Sequence, residues 1–221
     1  MLNVDYWFIS LADLTQAEKL NSLLSLDEQR RSQRYKFVEL QQRFILGRAK
    51  LRQILGYYLK QNPRDLIFKY GKYGKPLIAE ISFNFSHTKE FAACAVVTNK
   101  NNIAIGIDLE KNNRDTKSLN LAERFFAPIE FTWLRQQPIE TQATNFVRLW
   151  TAKEAYLKAV GKGLQGGLDQ VVVNLDNTPK LATSDDQHWT LECFQLDAEH
   201  WGAIAVNSLT CNFTFRGEWK T

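Results

Sequence analysis

The sequence predicts an α+β fold, and two observations carry that prediction. Short apolar runs of strand character are interspersed with longer runs at helical spacing along all 221 residues. The two halves also rhyme. A shift of 103 residues lays Leu46, Ala49, Lys50 and Ile54 over Leu149, Ala152, Lys153 and Leu157, and a shift of 110 lays residues 91–96 over 201–206. Amphipathic helices match one another by chance as well, so on pattern alone duplication and coincidence both stand. Under duplication each half is a helix followed by a small antiparallel sheet, with a ligand cleft between the halves.

Element by element, residues 4–9 read as a strand. Residues 15–24 and 27–35 read as helices, with Thr15 and Ser25 as caps. Phe44, Leu51, Leu55 and Tyr58 recur at helical spacing, giving an amphipathic helix over 40–60 that Asn62-Pro63 ends. Residues 66–70 form a short strand before the turn-rich loop 71–76, and 81–85, 91–97 and 103–109 are further strands. Helices follow at 118–126, 128–135 and 142–160, with Pro128 at a first helical position. Strands at 171–174, 189–196, 203–206 and 213–215 complete the chain.

Composition narrows the class. Hydrophobic residues at 44% and charged residues at 24% are globular proportions, which exclude collagen, coiled coil and disorder. Cys94, Cys193 and Cys211 are odd in number and lack metal spacing, so reduced, buried thiols in a cytoplasmic protein are expected. The first five residues show no basic leader, and the longest apolar run, 91–97, falls far short of the roughly 18 residues that span a bilayer. Neither secretion nor membrane insertion is expected. A net charge of +4 is a mild bias that suits anionic small molecules or acidic proteins, and no dense basic stripe points to nucleic acid. Eight basic side chains nevertheless fall between Arg30 and Arg52.

Three stretches carry chemistry. In Gly106-Ile107-Asp108-Leu109-Glu110, strand alternation puts Asp108 and Glu110 on one face, where two carboxylates repel unless a cation lies between them. A hard divalent ion suits them, and a solvated strand end is the plain alternative. Trp150, Glu154 and Lys158 share one stripe of a strong helix, bordered by Lys153, before Gly161 and Gly163 permit a tight exit. Glu154 could supply a third acid and the lysines could face phosphates; an ordinary surface ion pair is the alternative. His87 sits in a polar turn between apolar strands, where a structural role is common.

Together these stretches resemble the 4′-phosphopantetheinyl transferases of the surfactin-synthetase-activating type. The match lies in Asn84-Phe85-Ser86-His87, in residues 106–110, and in the run from Trp150 to Leu164. Tyr73-Gly74-Lys75-Pro76, Glu123-Arg124-Phe125-Phe126 and Arg43-Phe44-Ile45-Leu46-Gly47 also fit, in register from about residue 25 to 168. The resemblance implies a pseudo-twofold pair of α+β halves, with the active site between them. Residues 1–102 would bind the nucleotide of coenzyme A, and 103–221 would hold the metal site and catalytic helix. It implies transfer of the phosphopantetheine arm of CoA to a serine of an apo acyl, aryl or peptidyl carrier protein, releasing 3′,5′-ADP. Such carriers serve fatty-acid, polyketide or non-ribosomal peptide synthesis.

By the same resemblance Asp108, Glu110 and Glu154 would hold Mg2+, with Mn2+ an alternative on ligand chemistry. Glu154 would be the base, Lys158 would steady the leaving phosphate, Lys153 and His87 would contact the pyrophosphate, with His87 counted among the catalytic residues, and Ser86 would be a further CoA-binding residue. Gly74, Lys75 and Pro76 would line the adenine pocket, and Arg31 and Arg43 would neutralise the 3′-phosphate. Glu28 departs from the basic residue many relatives carry there, which brings in Arg30 or Arg34 instead. Residues 119–135, with Phe125, Phe126, Ile129 and Trp133, read as a carrier-docking flap or as core. A monomer is expected. The rivals are a non-catalytic CoA- or carrier-binding module and a metal-dependent nuclease. A nuclease strand usually has Lys two residues after its second acid, and here that residue is Asn112.

Overall fold

The computed structural model describes residues 1–112, 117–175, 179–182 and 187–220. The first half opens with β1 (Leu2–Ser10). The helix expected over 15–24 is broken into a 3-10 turn at Leu14–Gln16, α1 (Ala17–Leu20) and a second 3-10 turn at Asn21–Leu23. Its cap is Asp13, which accepts from the Thr15 amide at 3.1 Å, and not Thr15. α2 (Leu26–Ser32) does start from Ser25: Ser25 Oγ accepts from the Glu28 amide and Glu28 Oε2 from the Ser25 amide, a reciprocal capping box. Then come α3 (Val38–Leu59), β2 (Lys69–Tyr70), β3 (Pro76–Leu77), β4 (Phe83–His87) and β5 (Phe91–Val97). The strand expected at 66–70 shrinks to its last two residues. The carbonyls of Pro63 and Leu66 accept instead from Arg52 Nη1 at 2.8 and 3.0 Å, so a side chain satisfies that backbone.

The second half holds β6 (Ile105–Lys111), α4 (Ser118–Phe125), α5 (Pro128–Gln136) and α6 (Ile139–Val160). β7 (Val172–Asn174), β8 (Lys180–Ala182), β9 (Trp189–Gln195), β10 (His200–Asn207) and β11 (Cys211–Glu218) follow. The halves repeat one topology. Antiparallel sheets of order β1-β5-β4 and β6-β10-β9 each carry a 22-residue helix, α3 or α6, and a small hairpin, β2–β3 or β7–β8. The residues that rhyme, Leu46, Ala49 and Ile54 with Leu149, Ala152 and Leu157, are all buried helix positions. One strand departs from the expected division at 102/103. β11 crosses back to pair in parallel with β1, from Leu2 opposite Cys211 to Phe8 opposite Glu218.

The two sheets share a core. Val4, Tyr6 and Phe8 of β1 pack with Ile105, Ile107 and Leu109 of β6 and with Ile204 and Val206 of β10. Leu109 and Ile107 are fully buried, which confirms that Asp108 points to the opposite face of β6. Asn84 Oδ1 of β4 accepts from the Ile107 amide at 2.9 Å, joining the halves directly behind Asp108. Gly106 lets β6 lie against α6. A Cβ there would fall 1.9 Å from the Ala155 carbonyl oxygen and 2.5 Å from the Ala159 nitrogen. Among the described residues no helix is long and apolar enough to cross a membrane. All three cysteines are free thiols, but only Cys94 is buried; Cys193 and Cys211 are partly exposed, against expectation.

Candidate active site

The close approach of β6 to α6 assembles the polar centre. Lys158 Nζ, from the last turn of α6, reaches Asp108 Oδ1 at 2.6 Å and Ser86 Oγ at 2.8 Å, and Ser86 Oγ donates to Asp108 Oδ1 at 2.9 Å. Asp108 and Ser86 are buried, while Lys158 keeps about a quarter of its side chain exposed. Three elements from both halves (β4, β6 and α6) thus meet at one carboxylate.

The neighbouring acids feel that carboxylate. Burial first, and then the charge of Asp108, push Glu154 up to about 6 and Glu110 up to about 7, with Lys158 opposing both. Among the described residues no three acidic, histidine or cysteine side chains are gathered tightly enough to make a ready-formed metal centre, and Lys158 is the cation against Asp108. The donor chemistry still fits a hard divalent ion. Asp108 Oδ2 is buried without a hydrogen-bond partner, beside two carboxylates whose ionisation it opposes. Only oxygen donors are present, as such an ion requires.

His87 ends β4 as an exposed residue. Crowding on its protein side, and then the charges of Lys158 and Arg48, hold its pKa below the ordinary histidine value against a raising backbone hydrogen bond at Thr88. Arg48 connects this point to a second region. It faces Glu28 at 3.4 Å and lies over the rings of Phe44 and Phe68.

That region is a cleft of about 840 Å3 lined by Asp27, Glu28, Arg30, Arg31, Arg34, Tyr35, Tyr70, Tyr73 and Gly74. Helix α2, fixed by its capping box, presents Arg30 and Arg31, the turn after it presents Arg34 and Tyr35, and the β2–β3 hairpin presents Tyr70, Tyr73 and Gly74. Gly74 takes φ of 80°, a conformation suited to glycine. Glu28 supports the cleft from beneath. It is buried and binds Arg52 at 2.7 Å, so it braces α2 against α3. Tyr35 and Tyr70 were not singled out in the sequence; aromatics flanking Arg34 and the Gly71–Pro76 loop were the available signal.

Three expected ligand contacts do not lie where the sequence placed them. Lys153 is fully buried, and its three donors go to Glu130 at 2.5 Å and to the carbonyls of Leu168 and Val171. It is a strut between α6, α5 and the chain after α6, facing away from the carboxylates. Arg43 is committed to Glu39 at 2.7 Å and to the carbonyls of Leu11 and Lys89, outside the basic cleft. Of the adenine-loop residues, Gly74 lines the cleft, Pro76 pairs with Tyr70 in the hairpin, and the Lys75 ammonium runs to the other half.

The docking segment divides as well. Phe126 is core, Phe125 and Trp133 pack against the core, and Leu121 and Ile129 are exposed. Leu121 shares a cavity of about 300 Å3 with Glu110, Lys111, Lys117, Phe146 and Trp150.

A repeated α+β scaffold thus carries an arginine- and tyrosine-lined cleft on its first half and, where β4, β6 and α6 meet, carboxylates with a lysine, side chains of the kind that a phosphorylated ligand calls for. Residues 104–209 match the 4′-phosphopantetheinyl transferase superfamily. The chain is 37% identical to 4′-phosphopantetheinyl transferase HetI of Nostoc sp. across 87% of its own length and 82% of the relative's. It is 32% identical to 4′-phosphopantetheinyl transferase Sfp of Bacillus subtilis across 72% of this chain and 69% of that one. A crystal structure of a holo-(acyl-carrier-protein) synthase from Bacillus anthracis in complex with CoA (3′,5′-ADP) aligns over 48% of this chain and 96% of that one, at 29% identity and a TM-score of 0.43. The chain belongs to the 4′-phosphopantetheinyl transferase superfamily.

Proposed function

We propose that the protein transfers the phosphopantetheine arm of coenzyme A to a serine of an apo carrier protein, releasing 3′,5′-ADP. The observation that carries this reading is the joining of Asp108, Ser86 and Lys158 across both halves, with Glu110 and Glu154 near enough to feel the Asp108 charge. Family membership supplies the reaction class.

In this reading Arg30, Arg31 and Arg34 take the 3′-phosphate through guanidinium forks, and Tyr73 and Gly74 take the base. His87 and Lys158 meet the pyrophosphate. Asp108, Glu110 and Glu154 would hold Mg2+, which supplies charge neutralisation at the pyrophosphate and the phosphorus under attack. Glu154 accepts the proton of the carrier serine. The serine oxygen–phosphorus bond forms as the phosphorus–oxygen bond to 3′,5′-ADP breaks, and Lys158 stabilises the charge left on the departing phosphate. Ser86 and Asp108 hold Lys158 in place for that role.

We place the nucleotide function in the first half and the transfer centre in the second, in a cytoplasmic monomer. The shared core between the sheets and the free thiols support that placement. Leu121 and Ile129 are the exposed apolar residues offered to a carrier by the flap. Intact mass of apo carrier proteins after incubation with the protein, CoA and Mg2+ tests the reading. One added phosphopantetheine that disappears with EDTA is expected. CoA binding without transfer to acyl, aryl or peptidyl carriers would favour the binding-module alternative.

A further inference from the structure

Lys75 stands in the β2–β3 loop directly after Gly74 of the nucleotide cleft, yet its side chain serves the other half. Its ammonium donates to the carbonyls of Lys158 at 2.7 Å, Ile105 at 2.8 Å and Ala159 at 3.3 Å. An ammonium has three donors, and main-chain oxygens take all of them. Two of those oxygens lie in the last turn of α6, where carbonyls lack a full set of intrahelical partners and the helix dipole favours a cation. Gly161, in the left-handed conformation, ends the helix there, and its own amide reaches the Lys158 carbonyl only at 3.3 Å. Burial lowers the pKa of Lys75 to about 8, the mark of an ammonium taken out of water.

Lys158 is consequently held at both ends. Ser86 and Asp108 hold its ammonium, and Lys75 holds its carbonyl. We propose that Lys75 is a positioning residue of the transfer reaction: it fastens the nucleotide loop to the last turn of α6 and so sets where Lys158 stands. The seat of the nucleotide and the residue facing the departing phosphate are linked through this one side chain. This rests on the transferase reading above and differs from a direct contact between Lys75 and CoA.

The test compares Lys75→Met and Lys75→Arg with the unsubstituted protein by three readouts. These are kcat for transfer to an apo carrier, the Kd for CoA by calorimetry, and amide hydrogen exchange at residues 158–162. Because a displacement of about 1 Å can cost on the order of a hundredfold in rate, Lys75→Met is expected to lower kcat by roughly 10- to 100-fold. The Kd for CoA should stay within about threefold while exchange at 158–162 accelerates, since the loop backbone still lines the cleft. Lys75→Arg, which can donate to the same carbonyls, is expected to recover much of the rate. In a Lys158→Ala background, Lys75→Met should cost less than about threefold more, because both changes act on one unit.

Weakened CoA binding with kcat and exchange unchanged would overturn the proposal in favour of a ligand contact. A lower melting temperature with full kcat in the folded protein would reduce Lys75 to a stabilising residue and also overturn it. If Lys75→Met does not fold, Lys75→Gln, which keeps one donor group, is read by the same criteria. The exchange readout needs neither CoA nor carrier. It still decides whether Lys75 fastens the last turn of α6 if the unsubstituted protein proves unable to transfer, the outcome that would sink the transferase reading and with it the catalytic part of this proposal.

Discussion

Lys153→Met is the substitution that best separates a strut from a ligand contact. Lys153 is exposed to neither solvent nor cleft: its side chain is 0% accessible, paired with Glu130 at 2.5 Å and donating to two carbonyls. Burial is the first influence on its pKa and lowers it, with Glu130 opposing. Methionine fills similar volume but leaves Glu130 buried and charged, with only the amides of Ala127 at 3.0 Å and Val173 at 2.8 Å to satisfy it. Breaking a buried pair from one side costs about 3–5 kcal/mol, a large share of a domain's stability of roughly 5–15 kcal/mol. At about 2–4 °C per kcal/mol for a chain of this size, the melting temperature should fall by roughly 6–20 °C. Adding Glu130→Gln removes the orphaned charge while keeping a carbonyl for one of the two amides, and should restore more than half of the loss. The assay is thermal unfolding by circular dichroism, with CoA affinity measured well below the transition. A Lys153→Met protein as stable as the original, with CoA binding weakened tenfold, would refute the strut and return Lys153 to the pyrophosphate.

Other expectations follow from the same geometry. Glu154→Gln should lower kcat by at least about a hundredfold, as loss of a base does, without lowering the melting temperature, because it removes a buried charge that Asp108 opposes; steady-state transfer and calorimetry check both halves. Alanine at Arg31 and Arg34 together should weaken CoA by about tenfold or more yet leave dephospho-CoA nearly unaffected, since a guanidinium pair on the 3′-phosphate has nothing to hold in the latter. Burial raises the Cys211 thiol to about 11, so its rate with a disulfide reagent should climb about tenfold per pH unit between pH 8 and 10 as thiolate forms. A pH-independent rate there would contradict that environment.

Much of the fold was legible because local pattern and tertiary context agree. Residues 91–97 were read as a strand and are β5, since an unbroken apolar run between turns suits a strand buried between two neighbours. Ser25 was legible as a cap because its partner Glu28 lies three residues on. Asp108 and Glu110 were placed together by the period of a strand alone. What failed depended on distant chain. The return of β11 to β1 is a pairing across the length of the molecule, and the Leu66 carbonyl is taken by Arg52 of α3 and not by a neighbouring strand. Helical spacing put Lys153 beside Glu154 but could not say which flank of α6 was covered by α5. Nor could spacing show that the four-carbon stem of Lys75 carries its charge across to α6.

A crystal structure of the protein grown with CoA and Mg2+ is the most direct measurement of the central claim. The expected result has the 3′-phosphate among Arg30, Arg31 and Arg34, the base against Tyr73 and Gly74, and the pyrophosphate beside His87 and Lys158, with the metal bound by Asp108, Glu110 and Glu154. A nucleotide seated away from the arginine cleft, or a metal bound without these three carboxylates, would contradict it.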